Sequence, residues 1–196
     1  TTKTAADFSP DAIALTHGHG DHTADVLAIV RACGAELIAM VEIANWYESH
    51  GVDKVVDLNL GGTAKYSWGS VQLVPAFHTN TLPDGTAIGQ AAGLVITAGG
   101  KRIYHTGDTA LFSDMALTKR RAPVDVAIMP IGGHYTMDVE DAAEAVRLID
   151  PKYAIPCHYN TFPVVAQDPA RFVELVSAQT SAEPVILKPG ESFSLG

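Results

Sequence analysis

The sequence predicts an α/β fold built as a four-layer αββα sandwich. Three observations carry that expectation: an opening β-α-β-α rhythm, an extended middle punctuated by glycine pairs, and a return near the end to strands that feed helices. With 196 residues the chain is read as one domain, 1–196, long enough to bury a sizeable core.

Ala12 to Leu15 is a short apolar run that fits a buried strand. Val26, Ile29, Val30 and Cys33 then keep helical spacing, closed by Gly34. A strand from Glu36 to Met40 and a helix from about Val41 to His50 follow, with Gly51 as the stop. From Lys54 to His78 the pattern is extended, with turns at Gly61-Gly62 and Trp68-Gly69-Ser70. In the run Val71 to His78, residues Val71, Leu73, Pro75 and Phe77 share one face, and His78 falls on the other at the strand's end. Residues 79–90 read as a polar loop, either a wall of a substrate entrance or a plain hairpin connection. Gly93 to Thr97 and Arg102 to His105 are strands joined by Gly99-Gly100. A strand over Val124 to Pro130 leads to a helix capped by Asp138 and ended by Asp150-Pro151. Tyr153 to Cys157 is the next strand, and Asp168 caps a last helix with Pro169 in its first position. Val185 to Leu187 and Ser192 to Leu195 are expected to close the sheet.

The stretch Thr16-His17-Gly18-His19-Gly20-Asp21-His22 follows the first strand. His17 and His19, two apart in extended chain, can turn their imidazoles toward one point where the glycines let the backbone bend. Asp21 and His22 come one step later and can face a second point nearby. Neutral imidazoles and carboxylates suit zinc, iron or manganese. His78, Asp108 and His158 each fall at the end of a strand, and a carboxylate at 108 can bridge two metals. His105 lies on the strand itself and reads as a packed histidine behind the ligands. His134 lies in the glycine-rich loop Gly132 to Met137, where it could bind substrate or donate a proton. A plain exposed histidine is the alternative.

The motif, with His78 in Pro75-Ala76-Phe77-His78-Thr79, Asp108 in Thr106-Gly107-Asp108-Thr109 and His158 in Cys157-His158-Tyr159, resembles the metallo-β-lactamase superfamily. Members of that superfamily hold one or two metals at the edge of an αβ/βα sandwich. The stretch Gly132-Gly133-His134-Tyr135-Thr136-Met137 is similar to small bacterial metal-dependent hydrolases related to L-ascorbate-6-phosphate lactonase. The resemblance covers nearly the whole chain. It implies one metal on His17, His19, His78 and Asp108, and another on Asp21, His22, Asp108 and His158. It further implies a hydroxide shared between two divalent ions, zinc first with manganese or iron as alternatives, as the nucleophile. Asp21 would orient that hydroxide or pass a proton. The expected substrate is a lactone, ester or phosphorylated metabolite. Phosphodiester cleavage is the second reading, and a metal-binding protein without turnover the third. True β-lactamases place cysteine where this chain has Asp108, which disfavours antibiotic hydrolysis. Relatives usually begin with a further pair of strands before the first histidine motif. This chain opens on Thr1-Thr2-Lys3, so those N-terminal strands are expected to be missing and the first sheet incomplete.

Composition excludes less. A net charge of −9 disfavours a phosphate backbone, so no nucleic-acid partner is expected. The basic run Lys119-Arg120-Arg121 reads as a charged helix end. Cys33 and Cys157 do not form a disulfide framework, and both read as buried thiols. No apolar run has the length of a membrane span and no signal pattern opens the chain, so the expected location is cytoplasmic. The expected partner is a small-molecule substrate, with a homo-oligomer possible.

Overall fold

A computed structural model describes residues 3–195. The opening elements are β1 (Ala12–Ala14), the single turn α1 (Gly20–Thr23), α2 (Val26–Cys33), β2 (Glu36–Met40), α3 (Val41–Ser49) and β3 (Val55–Leu58). The extended middle holds β4 (Thr63–Tyr66), β5 (Gly69–Pro75), the short pair β6 (Asn80–Thr81) and β7 (Ala87–Ile88), β8 (Ala92–Ala98) and β9 (Lys101–His105). Then come α4 (Thr118–Arg121), β10 (Val126–Pro130), α5 (Val139–Ile149), β11 (Tyr153–Cys157), α6 (Pro169–Gln179) and β12 (Glu183–Pro184).

Among the described residues these form a parallel three-stranded sheet, β1-β2-β3, and a mixed seven-stranded sheet, β12-β11-β10-β9-β8-β5-β4. Side-chain alternation along β8 shows how the two sheets stack. Ala92 and Leu94 join the cluster of Leu37, Ile38 and Ile43 on the small sheet's side, whereas Val95 joins Tyr104, Val146 and Phe172 under α5 and α6. Layers of helix, sheet, sheet and helix result, as the sequence pattern predicts.

Local chemistry accounts for the helix ends. Asp138 accepts a hydrogen bond from the Asp141 N–H at 2.9 Å, and Asp168 accepts one from Ala170 N–H at 2.9 Å, satisfying backbone donors that helices leave open. α5 carries alanines at its buried positions 142, 143 and 145, which lets it approach the sheet closely. Lys119, Arg120 and Arg121 fall in the last turn of α4 as expected, and the buried Arg102 donates to the Thr118 and Ala122 carbonyls there. Both cysteines are free thiols.

Strand direction is what positions the site. β9, β10, β11 and β12 run parallel, and β8 runs antiparallel to both β9 and β5. β5 therefore points the same way as β9, β10 and β11, and their C-terminal ends share one edge. In α/β sheets that edge is where ligands bind.

Two expectations need correction. The run from Val71 ends as a strand at Pro75, and Phe77 is exposed instead of sharing the buried face of Val71 and Leu73. Beyond Pro75 the backbone leaves β8: Phe77 N–H donates to Thr109 Oγ1 at 2.9 Å, and Phe77 O accepts from Ala110 N–H at 3.0 Å. The strands expected at Val185 to Leu187 and Ser192 to Leu195 are absent from the described residues, and the sheet edge is β12. Val185 makes one ladder-like bond to Ala154 O, and the next β11 residue on that edge is Pro156, which has no N–H with which to continue the pairing. The polar loop 79–90 contains the β6–β7 hairpin, and its first residue, Thr79, also lines a cavity, so each of its two readings holds for part of it.

No helix among the described residues is long and apolar enough to cross a membrane.

Candidate metal centre

Six of the expected ligands crowd around one carboxylate. Asp108 Oδ2 lies 3.3 Å from His158 Nε2, 3.4 Å from His22 Nε2, 3.8 Å from His78 Nε2 and 4.0 Å from His17 Nε2. Asp21 Oδ2 lies 3.3 Å from His158 Nε2 and 3.4 Å from His22 Nε2. His17 Nε2 and His19 Nδ1 are 3.1 Å apart. Three groups offer ligand atoms within 4.8 Å of one another: His17, His19 and His78; His17, His22 and Asp108; Asp21, His22 and His158. The middle group shares residues with the outer two.

These spacings suit an ion better than they suit hydrogen bonds. A tetrahedral ion roughly 2.0–2.2 Å from each donor spaces neighbouring donors roughly 3.3–3.6 Å apart. His22 Nε2 is buried with no hydrogen-bond partner, although two carboxylate oxygens stand 3.4 Å away. An orphaned nitrogen aimed at a pair of carboxylates costs free energy unless something lies between them. A divalent cation fits there.

Burial and charge prepare the groups. Burial, helped by the neighbouring His22, pushes the His17 imidazole down to about 3 against the opposing pull of Asp108, so it is neutral and its lone pair is free at neutral pH. Its Nδ1 is engaged by Thr16 Oγ1 at 3.0 Å, which leaves Nε2 for the centre. Burial alone would raise Asp108, but the imidazoles of His22, His158 and His17 outweigh it and hold the carboxyl below its ordinary range. For His22 burial pulls downward, yet Asp108 and Asp21 win and its pKa is raised. Burial pushes the Cys157 thiol up to about 12, with Asp108 adding to the effect, so it stays protonated and makes a poor ligand. His105, lowered to about 4 chiefly by burial, accepts the Gly107 N–H on Nδ1 at 3.0 Å. It braces the turn that presents Asp108.

Two supports escaped sequence reasoning. Asn80, almost fully buried, accepts from the Gly18 N–H at 2.9 Å and donates to Gln90 O at 2.8 Å, clamping the β6–β7 hairpin against the histidine motif. Thr109 holds the Phe77 N–H and thereby the segment carrying His78. An asparagine in a polar loop gives no local sign of burial, whereas Thr16 could have been suspected from its place beside His17.

A cavity of about 530 Å³ opens over the cluster, floored by His19, Asp21, His78, Asp108 and His158 and walled by Thr79, Tyr135 and Phe162. His134 does not line it. That side chain is exposed and stands edge-on to Tyr135, ring centroids 4.6 Å apart, so Tyr135 is the residue its loop turns toward the cavity.

The model of the beta-lactamase superfamily domain matches residues 3–159, which includes every one of these clustered ligands. The chain belongs to the β-lactamase superfamily. Within the superfamily it is 48% identical over 191 residues to a UPF0173 metal-dependent hydrolase of Enterococcus faecalis, covering 96% of this chain and 83% of that protein. It is 46% identical to another of that description from Deinococcus radiodurans, covering 96% and 82%. Igni18, described as a novel metallo hydrolase of Ignicoccus hospitalis, superposes with a TM-score of 0.88 at 36% identity, over 97% of this chain and 82% of that one. An isothiocyanate hydrolase from Delia radicum gut bacteria shares the superfamily fold at a TM-score of 0.75 and 20% identity, covering 99% of this chain and 80% of that one.

Proposed function

We propose that this metal-dependent hydrolase of the β-lactamase superfamily holds two divalent ions and uses water to cleave a small organic substrate, a lactone, an ester or a phosphorylated metabolite. Zinc is the first choice of ion, with manganese or iron as alternatives. The single observation behind this reading is Asp108 Oδ2, placed between imidazoles of both outer ligand groups. His17, His19 and His78 would hold one ion and Asp21, His22 and His158 the other, with Asp108 shared. When bound, such ions supply Lewis acidity and make hydroxide available at neutral pH.

The chain's own residues do the rest. Asp21 is the cluster carboxylate most open to the cavity, its side chain 61% exposed, and it is the group that orients the incoming water or hands a proton to the leaving group. Burial works against its ionised form, but His22 and His158 outweigh it and keep the carboxyl below its ordinary range, so it enters the reaction as an acceptor. Thr79, Tyr135 and Phe162 hold the substrate over the floor and displace water from around it.

Metal analysis of natively purified protein is expected to return two divalent ions per chain, with activity abolished by a chelator and restored by the metal. Parallel assays on a lactone and on bis(p-nitrophenyl) phosphate are expected to favour the lactone. Cleavage of the phosphodiester alone would move the assignment to phosphodiesterase. Two bound ions with no turnover of either would make the protein a metal binder.

His134 is proposed to act behind Tyr135, as a second source of protons or hydrogen bonds for substrate. A His134→Ala variant is expected to keep its metal content. A fall in kcat of roughly 10²-fold that the Tyr135→Ala variant does not reproduce would support a proton-transfer role for the imidazole, and an unchanged kcat would leave it as a prop for Tyr135.

A further inference from the structure

We infer that the substrate carries no anionic group away from the bond being cleaved and lays an apolar group, aryl or alkyl, against Tyr135 and Phe162. This rests on the hydrolytic reading and narrows it to esters and lactones without anionic groups, at the expense of phosphorylated metabolites.

The cavity divides into two chemistries. Its floor is the ligand cluster, which attends to the reacting bond. Its remaining wall is Thr79, Tyr135 and Phe162, and among the described residues that line it none is a lysine or arginine. An anionic group beyond the reacting bond would be drawn from water into contact with two aromatic faces and one hydroxyl, with no lysine or arginine on that wall to offset its desolvation, whereas a cation would meet the attractive ring faces and Asp21. Lys119, Arg120 and Arg121 do not reach the wall, because they end α4, and Arg121 lines a separate cavity beside Arg102.

The aromatic wall is exposed but held in place. Tyr135 is 55% and Phe162 46% exposed, an apolar area that a ligand would cover. Phe162 sits on a loop closed by Asn160, whose backbone takes a left-handed turn at φ 58° and whose side chain bonds the Gln167 N–H at 2.8 Å and the Gln167 carbonyl at 3.0 Å. Gln167 Nε2 in turn donates to Gly132 O at 3.4 Å, which ties that loop to the one carrying Tyr135. The Tyr135 loop is pinned by the Gly133 N–H donating to Met137 O at 3.0 Å, and His134 braces the tyrosine ring edge-on. Little ordering remains to be done when an apolar group binds, which favours affinity.

The test uses three 4-nitrophenyl esters with the same scissile bond and leaving group, on the metal-loaded enzyme: hexanoate, adipate monoester ending in a carboxylate, and 6-aminohexanoate ending in an ammonium. The hexanoate is expected to show kcat/KM at least about tenfold above the carboxylate ester, and the ammonium ester to lose less than the carboxylate one because ring faces and Asp21 attract a cation. Tyr135→Ala and Phe162→Ala are each expected to raise KM for the hexanoate about tenfold with metal content unchanged. A carboxylate ester cleaved as well as the hexanoate, or hexanoate KM unmoved in both alanine variants, would overturn the inference and leave the hydrolase standing. Failure of the loaded enzyme to cleave any of the three, or any lactone, would overturn the hydrolytic reading and the inference with it.

Discussion

An Asp108→Ala variant is expected to lose roughly 10³-fold or more in kcat/KM and to release at least one metal ion. A loss of that size corresponds to about 4 kcal/mol of transition-state stabilisation. Removing the side chain leaves the Nε2 atoms of His17, His22, His78 and His158, now 3.3 to 4.0 Å from Asp108 Oδ2, with only the exposed Asp21 carboxylate beside His22 and His158 and no anion between the two outer groups. The two cations proposed there would repel each other without a shared carboxylate in a partly dry site. Asp108→Asn separates charge from shape: it keeps the volume and should fail nearly as badly, because the amide oxygen cannot neutralise two dications. Elemental analysis beside steady-state kinetics decides the matter. Full activity with two bound ions in the alanine variant removes the bridging role.

The second large effect is expected at Gly18, with Gly20 as its control. Both are spacers in the histidine motif, and the sequence treats them alike. A Cβ at position 18 would overlap the Thr81 carbonyl oxygen and press on the Thr81 backbone carbon at 3.1 Å, whereas a Cβ at position 20 meets nothing within 4 Å. Gly18→Ala must therefore push the β6–β7 hairpin off the motif and strain the Gly18–Asn80 bond. Overpacking of this kind costs about 1–3 kcal/mol, and here the displaced backbone lies between His17 and His19. Denaturant unfolding should show that loss together with weakened metal binding. Gly20→Ala, in the first turn of a helix, should leave both within error or raise stability slightly. Equal behaviour of the two variants would mean that the hairpin does not bear on the motif. The role expected of these glycines, backbone bending, is thus replaced at position 18 by close approach, and position 20 has no steric need for glycine. Gly107 combines both reasons: its φ is +67°, and a Cβ there would lie 2.5 Å from Ala92 O.

Much of the architecture could be read locally because its signals are local. Helix caps at Asp138 and Asp168, the glycine stop at Gly34 with φ 67°, and the short strand from Glu36 to Met40 depend on neighbours in sequence. Reading failed where a partner distant in sequence took over the backbone. Phe77 alternates correctly with Val71 and Leu73, but Thr109 captures its N–H and turns the chain away from the sheet. The segment after Pro184 is apolar enough for a strand, yet Pro156 on the facing strand has no N–H to extend the ladder.

The same division holds at the metal centre. Residue type and spacing alone determined that imidazoles and carboxylates stand at strand ends in an order suited to divalent ions. Ligand chemistry depends on which atoms a side chain carries, and that is written in the sequence. Only the tertiary structure decided that β5, β9 and β11 point one way, so that His78, Asp108 and His158 meet His22 across a single oxygen. It also decided that Tyr135, and not His134, faces the cavity. Convergence of that kind comes from strand pairing and loop packing, whose partners lie far apart along the chain and leave no mark in local periodicity.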